Sequence, residues 1–392
     1  MFRKIIIFFL TLLFVILLID PTDRIFHLKI PLFLMLIFIW ILSKKNTNIK
    51  YKPDSIYMVI VLLTISLFGI VIAFLQNSIV DYGFSMGFIK SLIFLFLLVI
   101  IIDLDIEPDV ILTKYSIVLP LITIPLYCII LYFPVIMVFV YNYLVLNKEV
   151  AMISNRNFYG YALVMVYYKT SAVLVFPLSF YCNKLLHRKN FYSSLLFVLL
   201  FFASLIMSGT RANIVSALLI VVYYLYLYIK LKRNVIYSII SIMAFVFITI
   251  IFALSLSFEK ADDSSEIKSG HFVSFVKNIE ENPEYLIWGQ GLGSEFYTSG
   301  KNAFATQTEL TYFDLVRFFG LPLTILFLLM ITYPIIYLYK NKMINERNKY
   351  AIVAFIMYLF ISGTNPLLVS STGMVILIIM YSFTNKRIYN LT

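Results

Sequence analysis

Apolar residues in this chain come in blocks about as long as a bilayer is thick, separated by short polar connections. A hydrocarbon core of about 30 Å takes about 20 residues of helix, and on that measure about twelve spans are predicted, beginning near residues 5, 30, 56, 88, 115, 159, 191, 212, 235, 315, 350 and 367. Gly363-Thr364-Asn365-Pro366 divides the last pair, which makes them either two spans or one broken helix. One long polar stretch interrupts the pattern, from Ser257 to Thr306, between the ninth and tenth spans. The expected fold is all-α: a polytopic transmembrane helix bundle forming a single integral membrane domain over residues 1–392, with the 257–306 loop inserted in it.

Within that loop Phe272, Phe275, Val276 and Ile279 follow helical spacing up to Asn282-Pro283. This predicts an amphipathic helix, lying on the bilayer surface or packed on the bundle. Tyr285 and Trp288 beside it are of the interfacial type. At the other end of the chain, Arg3 and Lys4 precede an apolar run to Ile19, as in a signal peptide. Asp20-Pro21-Thr22-Asp23 then stands where a small-residue cleavage site would be, so this segment is expected to remain as the first span.

Composition agrees with the pattern. Mean hydropathy is +0.95 and 13% of residues are charged, against about 25% in soluble proteins. The net charge of +11 is spread among the connections, which is a topology signal and not a nucleic-acid face. With both termini cytoplasmic, 19 Lys and Arg fall on inward connections and 10 on outward ones, in accord with the positive-inside rule. The inward loop bearing Asp103, Asp105, Glu107 and Asp109 is the one acidic exception. Cys128 and Cys182 are too few and too apolar in setting for a disulfide framework or a metal site.

That orientation puts the polar loop, Asn155-Arg156-Asn157 and Ser208-Gly209-Thr210-Arg211 on one extracytoplasmic face. Arg211 closes one apolar run and opens the next, where a charge so near lipid needs a partner or anchors two helix ends by snorkelling. Arg156 at the same depth points instead to a shared anionic ligand. Planar, permanently charged forks suit phosphate oxygens, and two of them suit a diphosphate. Lys169, expected in mid-span, and Arg317 are further candidate cations for this role. Glu309 is predicted at the mouth of the tenth span, where a carboxylate can take a hydroxyl proton or simply favour the helix dipole. Asp314 and His271 stand behind it as candidate catalytic groups, although a lone loop histidine is commonly a surface residue. Gly289-Gln290-Gly291-Leu292-Gly293 has neither the preceding strand nor the following Lys-Ser or Lys-Thr of a nucleotide loop, and reads as a turn back toward the membrane. Asp262-Asp263-Ser264-Ser265-Glu266 lacks the ligand spacing of a calcium loop, so no metal is expected.

Three segments resemble the O-antigen polymerase and ligase superfamily of bacterial envelope glycan enzymes. Asn155-Arg156-Asn157-Phe158-Tyr159-Gly160 is similar to an Asn-rich approach to a helix in that family, and Ser208-Gly209-Thr210-Arg211-Ala212 to its Thr-Ser-Arg-Gly/Ala turn. Gly289 to Leu321 is similar to its Gly-x-Gly loop followed by a Gly-Leu helix start. Together they cover roughly residues 150 to 335. Ligases of the family usually carry a His-Asn pair near the position of Thr308-Glu309, and no histidine lies there, which favours a polymerase of the Wzy type.

The resemblance implies a metal-independent, cofactor-free glycosyltransferase of the bacterial inner membrane. Its substrate would be oligosaccharide on undecaprenyl diphosphate, with a chain-length regulator and a flippase as partners besides the lipid bilayer. The growing O-antigen or capsule glycan would pass from its lipid diphosphate to a hydroxyl of the next lipid-linked unit. A ligase acting on the lipid A core of lipopolysaccharide, or on protein, is the nearest alternative. A flippase is the alternative from another class, but it calls for internal repeats and several deep charges, and only Lys169 reads as deep.

Overall fold

The computed structural model describes residues 2–44, 53–158, 161–187, 190–231 and 263–385. The span expected near residue 235, the first residues of the polar loop and the tail with Lys386 and Arg387 lie outside the described residues. Among those described, six helices are long and apolar enough to cross a membrane: α1 (Phe2–Ile19), α3 (Pro53–Leu75), α4 (Tyr82–Asp103), α5 (Pro108–Tyr132), α9 (Arg211–Leu231) and α12 (Thr311–Lys340). Shorter apolar helices are α2 (Lys29–Ser43), α6 (Val135–Asn147), α7 (Ser171–Leu186), α8 (Phe191–Met207) and α14 (Ser371–Phe383). Helix α13 spans Glu346–Gly363. Helices close their own backbone hydrogen bonds, which is what lipid demands. Their outer faces carry large apolar side chains such as Tyr192, Val135 and Phe74, at 86%, 84% and 78% exposure. The architecture is that of a helical membrane protein.

At the centre stands α14, buried at every residue from Thr372 to Phe383 and touching α1, α4, α5, α12 and α13. A helix apolar on all sides belongs in such a place. It is separate from α13: the chain leaves α13 at Gly363 and enters α14 at Ser371.

The connections gather at two ends of the bundle. At one end Arg3 donates to the Asp105 carbonyl at 3.1 Å, Lys44 pairs with Asp103 at 2.6 Å, Arg347 pairs with Glu107 at 2.5 Å, and Asn183 donates to the Glu346 carbonyl at 3.1 Å. These contacts also account for the acidic exception. Asp103 accepts from Trp40 Nε1 as well as Lys44, and Asp109 accepts from the Tyr350 hydroxyl at 2.8 Å, so these carboxylates serve the packing of that end. At the opposite end, Lys148 donates to the Arg24 carbonyl at 2.7 Å, Ser78 to the Gln290 carbonyl at 2.9 Å and Thr311 to the Asn365 carbonyl at 3.0 Å.

The fold departs from all-α in two antiparallel hairpins. Strands β1 (Ala151–Phe158) and β2 (Tyr161–Tyr168) replace the first half of the span expected near residue 159. The backbone groups of this apolar stretch are satisfied across the ladder instead of along a helix. That is possible because the hairpin is packed on protein: Ile153 and Val166 join a core with Leu126 and Ile130 of α5. Its base is pinned to α1, with the Tyr168 hydroxyl donating to the Ile19 carbonyl and Thr170 to the Leu18 carbonyl. Lys169 is consequently not in mid-span. It sits at the strand exit, half-buried, with its N–H bonded to the Val150 carbonyl at 2.9 Å.

Candidate functional site

The polar loop is built in three pieces. Helix α10 (Asp263–Glu281) forms where the apolar spacing predicts it, and ends before Asn282-Pro283. It is docked on the bundle: Phe272 and Phe275 meet Phe313 of α12 edge-on at 5.4 and 5.1 Å, while Val273 faces outward. The short helix α11 (Tyr285–Trp288) exposes Leu286, Ile287 and Trp288, an apolar ledge of the interfacial kind. A second hairpin, β3 (Phe296–Thr298) with β4 (Ala303–Ala305), completes the loop.

Between α11 and β3 the chain goes inside. Gly289 to Ser294 are all buried, and the Leu292 N–H donates to the Gly69 carbonyl of α3 at 2.8 Å. Gly291, at φ +102°, permits this: a Cβ there would stand 2.2 Å from the Ala73 backbone. The glycines therefore do more than turn the chain. They let a stretch of loop lie against two helices as part of the core.

Arg317 holds that insertion, and its place differs from a diphosphate ligand's. It is 2% exposed, donates to the Ser294 carbonyl and hydroxyl at 2.6 and 3.0 Å and to the Thr306 carbonyl, and pairs with Asp314 at 3.5 Å. The Phe296 and Phe318 ring centroids lie 4.4 and 4.6 Å from its guanidinium carbon. Asp314 is equally committed, accepting from the Thr308 N–H at 2.7 Å and hydroxyl at 2.9 Å. Both residues are structural ties between the loop and the start of α12.

The three candidate acid–base groups are neighbours, yet only one is open. His271 is 1% exposed; its Nδ1 is 2.5 Å from the Thr298 hydroxyl and its Nε2 is buried with no hydrogen-bond partner among the described residues. Burial lowers its pKa, Lys301 and Lys268 lower it further, and Glu309 opposes them. Glu309 itself keeps 39% side-chain exposure and pairs with Lys268 at 3.2 Å. Lys268 is a neighbour that sequence could not supply, because it lies on α10, far from Glu309 along the chain.

The first hairpin ties the remaining candidates together. Gly209 packs so tightly on β2 that a Cβ there would be 2.3 Å from Met165 Cβ. Arg156 pairs in register with Leu163, two residues along the strand from Met165; its side chain lies outside the described residues. In the Ser208–Arg211 turn, Asn213 donates to the Ser208 hydroxyl at 3.0 Å, and Arg211 is the half-buried first residue of α9. Further along β2, the Tyr167 phenol is pushed up by burial and then by nearby Tyr358 and Glu309. Strand β2 thus packs on Gly209 of the Arg211 turn, and its Tyr167 lies within electrostatic reach of Glu309. Lys169 belongs to a different group: burial lowers its pKa, Glu149 raises it and Arg24 lowers it. Among the described residues no three His, Cys, Asp or Glu side chains are grouped to hold a metal.

No protein-family model, no curated protein and no solved structure matches this chain.

Proposed function

We propose that this protein is a bacterial surface-polysaccharide polymerase that transfers a growing glycan from undecaprenyl diphosphate to a lipid-linked repeat unit. The observation that supports it is the packing of Gly209, in the Arg211 turn, on strand β2, which pairs with the Arg156 backbone and carries Tyr167 within electrostatic reach of Glu309. Arg211 opens α9, where the helix dipole disfavours a cation. Its position is better explained by an anion than by helix stability.

In the proposed reaction an acceptor hydroxyl attacks the anomeric carbon of the donor glycan. The bond from that carbon to the diphosphate oxygen breaks, and the electron pair leaves with undecaprenyl diphosphate. Glu309, the exposed carboxylate of the three candidates, takes the hydroxyl proton. Arg211 and Arg156 stabilise the charge that develops on the departing diphosphate. The reacting face is extracytoplasmic, with both termini in the cytoplasm.

Purified protein supplied with lipid-linked repeat units should yield a ladder on the carrier lipid, with no lipid A core required. Arg211→Ala and Glu309→Gln should each lower the rate by about 100-fold or more. Near-normal rates in both variants would overturn the assignment. Product found only on an added core or protein acceptor would favour the ligase.

A further inference from the structure

A cavity of about 390 Å³ opens between the α1–α2 connection, α4 and the start of α14. Lys29 and Lys90 both line it, with Ser370, Ser371 and Gln307 adding polar groups. Beside these the wall is aromatic: Phe84, Phe88 and Phe94, with Phe84 and Phe88 in tilted contact with Phe318 and Phe327 of α12.

Both lysines face the cavity. Helix α4 starts at the loop end, where the Asp81 N–H donates to the Gly293 carbonyl, so Lys90 lies about 12 Å down the helix axis. It is exposed and forms no hydrogen bond or ion pair among the described residues. A charge at that depth is functional by default. Lys29 is 6% exposed; its ammonium is hydrogen-bonded to neutral oxygens, the Pro21 carbonyl and the Ser371 hydroxyl, the latter at 3.4 Å, with the Asp23 and Asp20 carboxylates in electrostatic reach. Ser371 opens α14, so the positive end of a helix dipole faces the same space. One acid, Asp23, is on the lining; its Oδ1 already accepts the Lys29 N–H at 3.1 Å.

We propose that this cavity binds the phosphate end of a prenyl diphosphate, with Lys29, Lys90 and the α14 N-terminus on the phosphate oxygens and the prenyl chain along the aromatic wall. Cations beside an aromatic wall fit an amphiphile of this kind and not a free sugar. Resting on the proposed polymerase function, it would seat the second lipid that such a reaction requires, apart from the one at Arg211. Gln307 of its lining is two residues from Glu309, which places the cavity beside the candidate base.

The test is equilibrium binding of farnesyl diphosphate to the detergent-purified full chain, with inorganic diphosphate as competitor. Lys90→Ala, an exposed change, should weaken binding at least tenfold, and Lys29→Gln should do the same in whatever fraction folds. Arg211→Ala should leave the Lys90-dependent component in place. Unchanged binding in Lys90→Ala would overturn the proposal, as would inorganic diphosphate competing as well as the prenyl compound. Lys90-dependent binding without polymer formation would sink the polymerase function and leave this site standing. A normal Lys90→Ala with polymerisation dependent on Arg211 and Glu309 would do the reverse.

Discussion

The Lys268 ammonium stands 3.2 Å from the Glu309 carboxylate, joining helix α10 to the segment that opens α12. Both side chains are about one-third exposed, so the pair contributes little to stability, about 0–1 kcal/mol. Lys268→Ala should therefore leave the thermal unfolding midpoint nearly unchanged while slowing polymer formation about tenfold, because the carboxylate loses the contact that orients it. A variant with an unchanged rate would separate the ion pair from the chemistry.

Arg317 should matter to stability far more than to substrate affinity. Removing one member of a buried, hydrogen-bonded ion pair costs about 3–5 kcal/mol, and Arg317→Met also leaves the Ser294 and Thr306 carbonyls without their donor. A large drop in unfolding temperature in detergent is expected, together with protease cleavage between Trp288 and Phe296. An equally stable protein would contradict the role of Arg317 as the tie.

Gly291→Ala tests the insertion directly. The left-handed backbone costs an L residue about 1–2 kcal/mol, and the Cβ would also overlap the Ala73 backbone at 2.2 Å. Gly87→Ala is the matched control, in a helix with nothing within 4 Å of the added carbon, and should stabilise by about 0.5–1 kcal/mol. The two unfolding midpoints should move in opposite directions.

His271 should make the loop acid-sensitive. Its pKa in the folded protein lies below the ordinary histidine value of 6.5, so the unfolded chain takes up the proton more readily. The stability from the neutral ring is full above about pH 6.5 and is lost as pH falls toward the lower folded value. Thermal unfolding between pH 7.5 and pH 5 should show this loss, and His271→Gln should flatten it.

Much of this was legible in the chain, and the failures have physical causes. Helix α10 appeared where Phe272, Phe275 and Ile279 demanded it, because helical spacing survives any tertiary context. The second strand of the first hairpin stands where the start of a spanning helix is expected, since Tyr161–Tyr168 is a short apolar run, and such runs fit a buried strand or a helix equally. Its aromatic and β-branched content was the available signal. Arg317 and Asp314 stand as candidates for chemistry because they follow a polar loop; nothing local reveals that the loop's glycines carry it into the core. Lys169 reads as deep for a related reason: depth follows from where a helix begins, and the strand displaces that origin.

The inserted glycine stretch also limits how the outer face of this protein can move. With Leu292 hung from Gly69 and Arg317 gripping the segment beyond it, the polar loop is fastened at its middle. It cannot swing aside as a lid. Any opening of this face comes from the parts on either side, helix α10 or the β3–β4 turn, pivoting about a fixed floor.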